Sequence, residues 1–152
     1  MTDRKPLPGK LAFSRDLFVL LFLLRGMPFV DLAFLRRCDL QGNVITYHRR
    51  KTSRKLTVVV GKEAMEIIQK YMYAIPDSPY LFPIIQNPGK DEYGQYARML
   101  RLQNYRLTQV ANILGIRDRL STYTARHTWA TTALRQNYNC LLYTSDAADE
   151  AR

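Results

Sequence analysis

Three short stretches of this chain gather the residue types that handle phosphate. They are Arg25-Gly26-Met27-Pro28-Phe29-Val30-Asp31-Leu32, then Arg49-Arg50-Lys51-Thr52, then Tyr123-Thr124-Ala125-Arg126-His127-Thr128-Trp129-Ala130-Thr131. A guanidinium presents a planar fork that grips two phosphate oxygens at once and never deprotonates. A lysine on a flexible stem can deliver a proton to a departing oxygen. Each stretch also has a plainer reading: Arg25 as a helix-end cation favoured by the macrodipole, Lys51 as a solvated turn, Arg126 as a surface charge, His127 as a satisfied core side chain. No Gly-rich phosphate loop, pair of catalytic carboxylates or metal-ligand spacing accompanies them.

The charge points the same way. Across 152 residues, 23 Lys and Arg face 13 Asp and Glu, for a net +10. A domain this basic meets a polyanion, and nucleic acid leads that class. With 47% hydrophobic and 24% charged residues the composition is globular, and the length suits one domain with a real core. The longest apolar run, Leu17 to Leu24, falls far short of the roughly 18 residues of a membrane span, so it reads as a buried helix segment. No signal peptide and no membrane partner are expected. Cys38 and Cys140 form neither a disulfide framework nor a zinc pattern, which fits a reducing, cytoplasmic setting.

The elements that must position these residues follow from spacing. Residues 1–10, with Pro6, Pro8 and Gly9, read as a lead-in. Ser14 is a candidate cap for a helix through Leu17, Leu20, Leu21 and Leu24 that stops at Gly26. Pro28 opens a second helix that ends near Asp39. Gln41-Gly42-Asn43 is a turn, and Val44–Arg49 with Leu56–Val60 read as a β-hairpin. A helix over about Lys62–Ala74, a Pro-rich irregular stretch, a long helix over Asp91–Leu114 with one break near Asn104, and a last helix from Ser121 to about Asn137 complete the chain. The class is mainly α with a small antiparallel β-hairpin or sheet.

Taken together and in this order, the three stretches resemble the tyrosine recombinases, or phage-type integrases, and among them the integrases of Bacteroides-type mobile elements. The stretch Arg126-His127-Thr128-Trp129-Ala130-Thr131 carries the resemblance most specifically, and the likeness runs from about Leu11 to Asn139. It implies an incomplete tyrosine recombinase catalytic-domain fold. It implies DNA integration by strand transfer through a 3′-phosphotyrosine, with arginines holding the non-bridging oxygens and with no metal or cofactor. Arg126 then matches the second catalytic arginine, Lys51 the hairpin general acid, and Asp31 an acidic residue that buttresses the first arginine. His127 and Trp129 match positions that usually pack. Two positions depart from the family pattern. Pro28 stands where most members carry the first arginine, and Arg25, three residues earlier, is expected to take over its role. Tyr123 replaces a histidine; its hydroxyl can donate to phosphate but is a poor base.

Double-stranded DNA is the implied partner. Arg36, Arg37, Arg49, Arg50, Arg54, Lys55, Arg98, Arg101, Arg106 and Arg119 are the candidate phosphate contacts, which fix register rather than read sequence. Two other readings stay open: a non-catalytic DNA-binding protein on the same scaffold, and a type IB topoisomerase-like domain. From Cys140 to Glu150 the chain resembles the conceptual translation of a transposase-type sequencing adapter, so 140–152 is expected to be a non-native tail. Without it, residues 1–139 hold 22 basic and 10 acidic side chains and carry +12. The family's nucleophilic tyrosine lies well beyond Arg126. Tyr138 comes too early and Tyr143 falls in the tail, so this polypeptide is expected not to cleave DNA. The family works as a tetramer on paired sites; this fragment is expected to be a monomer.

Overall fold

The helix α1 (Gly9–Leu23) organises the chain, because its second half, Leu17–Leu23, is apolar around its whole circumference. Leu17, Leu20, Leu21 and Leu24 are fully buried, and Phe13, Phe18, Phe22 and Leu23 pack around them. A helix apolar on all sides must be covered on all sides. Three helices do this: α3 (Lys62–Tyr71), α4 (Glu92–Leu114) and α5 (Thr122–Arg135) all pack on α1. The structure, a computed structural model, describes residues 7–135. Tyr138, Cys140, Tyr143 and the whole of 140–152 lie outside the described residues.

Between α1 and α3 run the short helix α2 (Phe29–Ala33), a single 3-10 turn (Arg37–Asp39) and three strands. β1 (Leu40–Gln41), β2 (Val44–His48) and β3 (Lys55–Val59) form one antiparallel sheet in that order. Ile45 pairs with Val58 and Tyr47 with Leu56 on the inward face, while Thr46 pairs with Thr57 and His48 with Lys55 on the outward face. The expected class, mainly helical with a small antiparallel sheet, is therefore what is observed.

Several boundaries differ from those the spacing predicts, each for a tertiary reason. α1 starts at Gly9 behind Pro8, inside the expected lead-in, because Phe13 in its second turn packs edge-on against Tyr71 at 4.8 Å. Ser14 is not the cap: it is buried inside α1, and its carbonyl accepts from Gln103 Nε2 at 2.8 Å. α2 stops at Ala33 instead of reaching Asp39, since the chain beyond it pairs with the Pro-rich stretch: Leu81 N donates to Leu35 O and Arg37 N to Pro79 O. α4 runs unbroken through Asn104, whose side-chain oxygen accepts from Thr122 N at 3.0 Å and so caps α5 rather than breaking its own helix. The Pro-rich stretch is irregular as expected, yet Leu81, Phe82, Ile84 and Ile85 in it are fully buried core.

One polar cluster is built into the α1–α3 seam. The Asp16 carboxylate accepts from Tyr71 Oη at 2.5 Å, from Lys70 Nζ at 3.0 Å and from Arg15 Nη2 at 3.2 Å. Burial alone would raise its pKa. The hydrogen bonds from Tyr71, Lys70 and Arg15 outweigh burial and hold it below the usual 3.8. Burial and the same bond push the Tyr71 hydroxyl up, so it stays a donor. A carboxyl whose pKa is depressed on folding stabilises the fold above its unfolded value and loses that contribution as pH falls through the folded one. Asp16→Asn is therefore expected to cost about 2 kcal/mol at neutral pH. It is also expected to flatten the loss of stability that the unmodified chain shows as pH drops below 3.8. Thermal unfolding over a pH series checks both.

Candidate functional site

The site is built where α1 hands over to α2. Leu24 ends the helix, and the next two residues, Arg25 (φ 63°) and Gly26 (φ 69°), are left-handed, with Gly26 N and Met27 N both returning to Leu21 O. This double reversal turns the Gly26 carbonyl toward α5. Arg126 Nη1 donates to it at 2.6 Å, across 100 residues of chain. The approach is close enough to require glycine. A Cβ on Gly26 would stand 3.3 Å from Arg126 Cα and O and 3.4 Å from Trp129 Cβ. Arg126 is only 7% exposed, so its guanidinium is held inside the fold rather than waving from α5.

Five residues on, the same segment meets a second arginine. Asp31 (4% exposed) faces Arg49 (1% exposed), with Arg49 Nε 3.6 Å from Asp31 Oδ2. The other oxygen, Oδ1, accepts from the backbone N of Arg50 at 3.0 Å. Arginine is almost never buried unless partnered. Here two buried arginines, one from the hairpin and one from α5, lean on one short stretch, Gly26–Asp31. Arg49 continues the inward phase of β2, where Ile45, Tyr47 and Arg49 alternate with outward Thr46, His48 and Arg50.

Lys51 stands two residues beyond Arg49, in the β2–β3 turn. The turn closes through Arg49 N to Arg54 O at 2.8 Å and Ser53 N to Arg49 O at 2.7 Å, with Ser53 left-handed at φ 59°. On α5, Tyr123 is half exposed and stacks on the exposed His127 ring, 6.3 Å between centroids and 17° between planes. His127 is thus not the packing residue the sequence suggests. Arg25, beside Gly26, has an exposed side chain, and the partner of Asp31 is Arg49, not Arg25.

The candidate phosphate contacts divide. Arg36, Arg50, Arg54, Lys55, Arg98, Arg101 and Arg119 are exposed. Arg49 is buried, as described. Arg37 is committed to backbone: Nε, Nη2 and Nη1 donate to the carbonyls of Met72, Ile75 and Pro76 at 2.9, 2.6 and 2.8 Å, capping the end of α3. It is a structural clamp rather than a surface cation. An apolar hollow of about 640 Å³ between α1, α3 and α5, lined by Phe18, Phe22, Ile67, Ala125 and Thr128, contains none of the arginines of this site.

Two nearly buried guanidinia are thus fixed on the segment Gly26–Asp31, and the turn that follows Arg49 carries Lys51. Such preorganised donors act most strongly where charge develops in the transition state. No protein-family model matches the chain, and no curated protein matches it. Among solved structures the chain is similar to a crystal structure of XerA recombinase, with a TM-score of 0.61 at 16% identity. The likeness covers 93% of this chain and 54% of the other, so this chain spans about half the length of that structure. The fold of residues 7–135, a helical body with a three-stranded antiparallel sheet, is shared with that recombinase structure.

Proposed function

We propose that this chain supplies the phosphate-gripping half of a site-specific tyrosine recombinase that integrates a mobile element into double-stranded DNA. The observation that carries this reading is the pair of buried arginines, Arg49 and Arg126, held on the single segment Gly26–Asp31. In this reading Arg126 holds the non-bridging oxygens of the scissile phosphodiester, and the buried Arg49–Asp31 pair fixes the segment that positions it. Lys51 on its turn gives a proton to the departing 5′ oxygen, and the Tyr123 hydroxyl donates to the same phosphate. Asp31 holds Arg49 rather than Arg25, so the acidic residue of this segment braces the hairpin arginine. The nucleophilic tyrosine is assigned to none of the described residues. A tyrosine that is neither Tyr138 nor Tyr143 forms the 3′-phosphotyrosyl link, and its bond energy is kept for religation.

The test is duplex binding measured over a salt series. Binding should weaken steeply with salt, with a log–log slope of about −0.9 per phosphate neutralised. Arg126→Ala and Lys51→Ala should each weaken binding and make the slope shallower. A flat salt response in the unmodified chain overturns the DNA reading. A covalent adduct with DNA that depends on Tyr138 or Tyr143 overturns the placement of the nucleophile elsewhere.

A further inference from the structure

Arg50 precedes Lys51 and is exposed, which makes it an obvious phosphate contact by sequence. Its surroundings give it other work. Its guanidinium carbon lies 3.9 Å from the centre of the Phe34 ring, and its backbone N donates to Asp31 Oδ1 at 3.0 Å. Phe34 in turn sits edge-on to Tyr80 at 6.1 Å and tilted against Tyr96 at 6.0 Å. Tyr80 is tied to α4 by its hydroxyl, which donates to Glu92 Oε1 at 2.7 Å. A chain of contacts therefore runs from the first turns of α4 through Tyr80 and Phe34 to the residue before Lys51. At the far side of the turn the left-handed Ser53 and its bond to Arg49 O set the geometry, and Arg54 N adds a bond to Thr52 Oγ1 at 3.3 Å.

We propose that Phe34 is a positioning residue for Lys51: by stacking on Arg50 it pins one end of the β2–β3 turn, and Arg50 serves the turn rather than a DNA phosphate. A six-residue connection between two strands is ordinarily one of the looser parts of a domain. Here both ends are held, one by local backbone bonds and one by a planar cation on an aromatic face, so the lysine between them starts from a narrow range of positions. A cation on an aromatic ring keeps much of its strength at an exposed site, where an ion pair is screened. Arg50 is suited to that role because its flat guanidinium covers the ring, which a lysine ammonium does not.

The part of the proposal that concerns DNA rests on the function proposed above; the part that concerns the turn does not, and two measurements separate them. The first is the ¹H–¹⁵N heteronuclear NOE of the Lys51 and Thr52 amides in the DNA-free chain. It should fall in Phe34→Leu and in Arg50→Ala, and stay at the unmodified level in Phe34→Tyr. Unchanged values in Arg50→Ala, an exposed substitution that cannot unfold the core, overturn the pinning.

The second measurement is duplex binding over a salt series. Lys51→Ala should make the slope shallower by about 0.9, whereas Arg50→Ala should leave the slope unchanged while weakening binding. In the Phe34→Leu background the penalty of Lys51→Ala should shrink by about threefold or more, since coupled positions are not additive. A slope that drops by one phosphate in Arg50→Ala, with an undiminished Lys51 penalty in Phe34→Leu, overturns the proposal. If the unmodified chain shows no salt-dependent binding, the proposed function fails, and the NOE still decides whether Phe34 holds the turn.

Discussion

Asp31→Ala is expected to destabilise the chain by about 3–5 kcal/mol, the range seen when one partner of a buried ion pair is removed. The size follows from what is left behind. Arg49 is 1% exposed and cannot turn its guanidinium to water without withdrawing from the inward face of β2, beside Tyr47 and Ile45. The Arg50 backbone N loses its acceptor at the same time. The loss should appear in urea unfolding as a lower midpoint at nearly constant m-value. Replacing both partners, as Asp31→Leu with Arg49→Met, should recover most of it, because apolar side chains of similar volume leave no charge to desolvate. The double variant separates stability from binding. It should fold, and it should bind duplex DNA with the salt slope of the unmodified chain, since the pair removed is neutral and buried. A loss below about 1 kcal/mol in Asp31→Ala would mean that the pair is not what holds Arg49 in place.

Gly26→Ala is expected to cost about 2–3 kcal/mol, from two sources that can be told apart. At φ 69° an alanine pays about 1–2 kcal/mol for the left-handed backbone. The new Cβ then presses on Arg126 Cα and O at 3.3 Å, so α5 must move outward and stretch the Arg126–Gly26 bond. Gly26→Asn brings the same Cβ but tolerates the left-handed region better, so it should recover the backbone part alone. If both variants cost the same, contact with α5 dominates; if asparagine is nearly harmless, α5 has room to give. Either way, a Gly26→Ala chain whose melting temperature matches the unmodified one would refute the close approach on which the Arg126 position depends.

Much of the architecture could be read from spacing because it is local. The β2–β3 hairpin, the left-handed Gly115 that ends α4, and the apolar Leu17–Leu24 run all follow from neighbours in sequence. The misread boundaries are those set by distant partners. Asn104 looks like a helix break until Thr122 is found to need a cap, and Ser14 looks like a cap until Gln103 claims its carbonyl. Arg37 looks like a surface cation until the carbonyls at the end of α3 surround it. Arg126 and Lys51 were recognisable from the residues around them, because those stretches resemble a known family. Arg49 is expected from its charge to be a phosphate contact, yet it is in phase with Ile45 and Tyr47, and the period-two alternation carries it inside. Phe34 carried no signal at all, since its importance comes from Arg50 and Tyr80, which the fold brings to it.

The bonds that define the site are nearly as long as the described chain. Gln103 reaches back 89 residues to Ser14, and Arg126 reaches back 100 residues to Gly26. A ribosome makes α1 first and α5 late, so a growing chain carries a leucine-rich helix whose coverings do not yet exist. Contacts this distant form only after the loop between them closes, which is the slow step for such topologies. The arginine grip therefore exists in no incomplete product of synthesis. Until α4 and α5 emerge, the bare α1 of a nascent polypeptide is a natural client for chaperones.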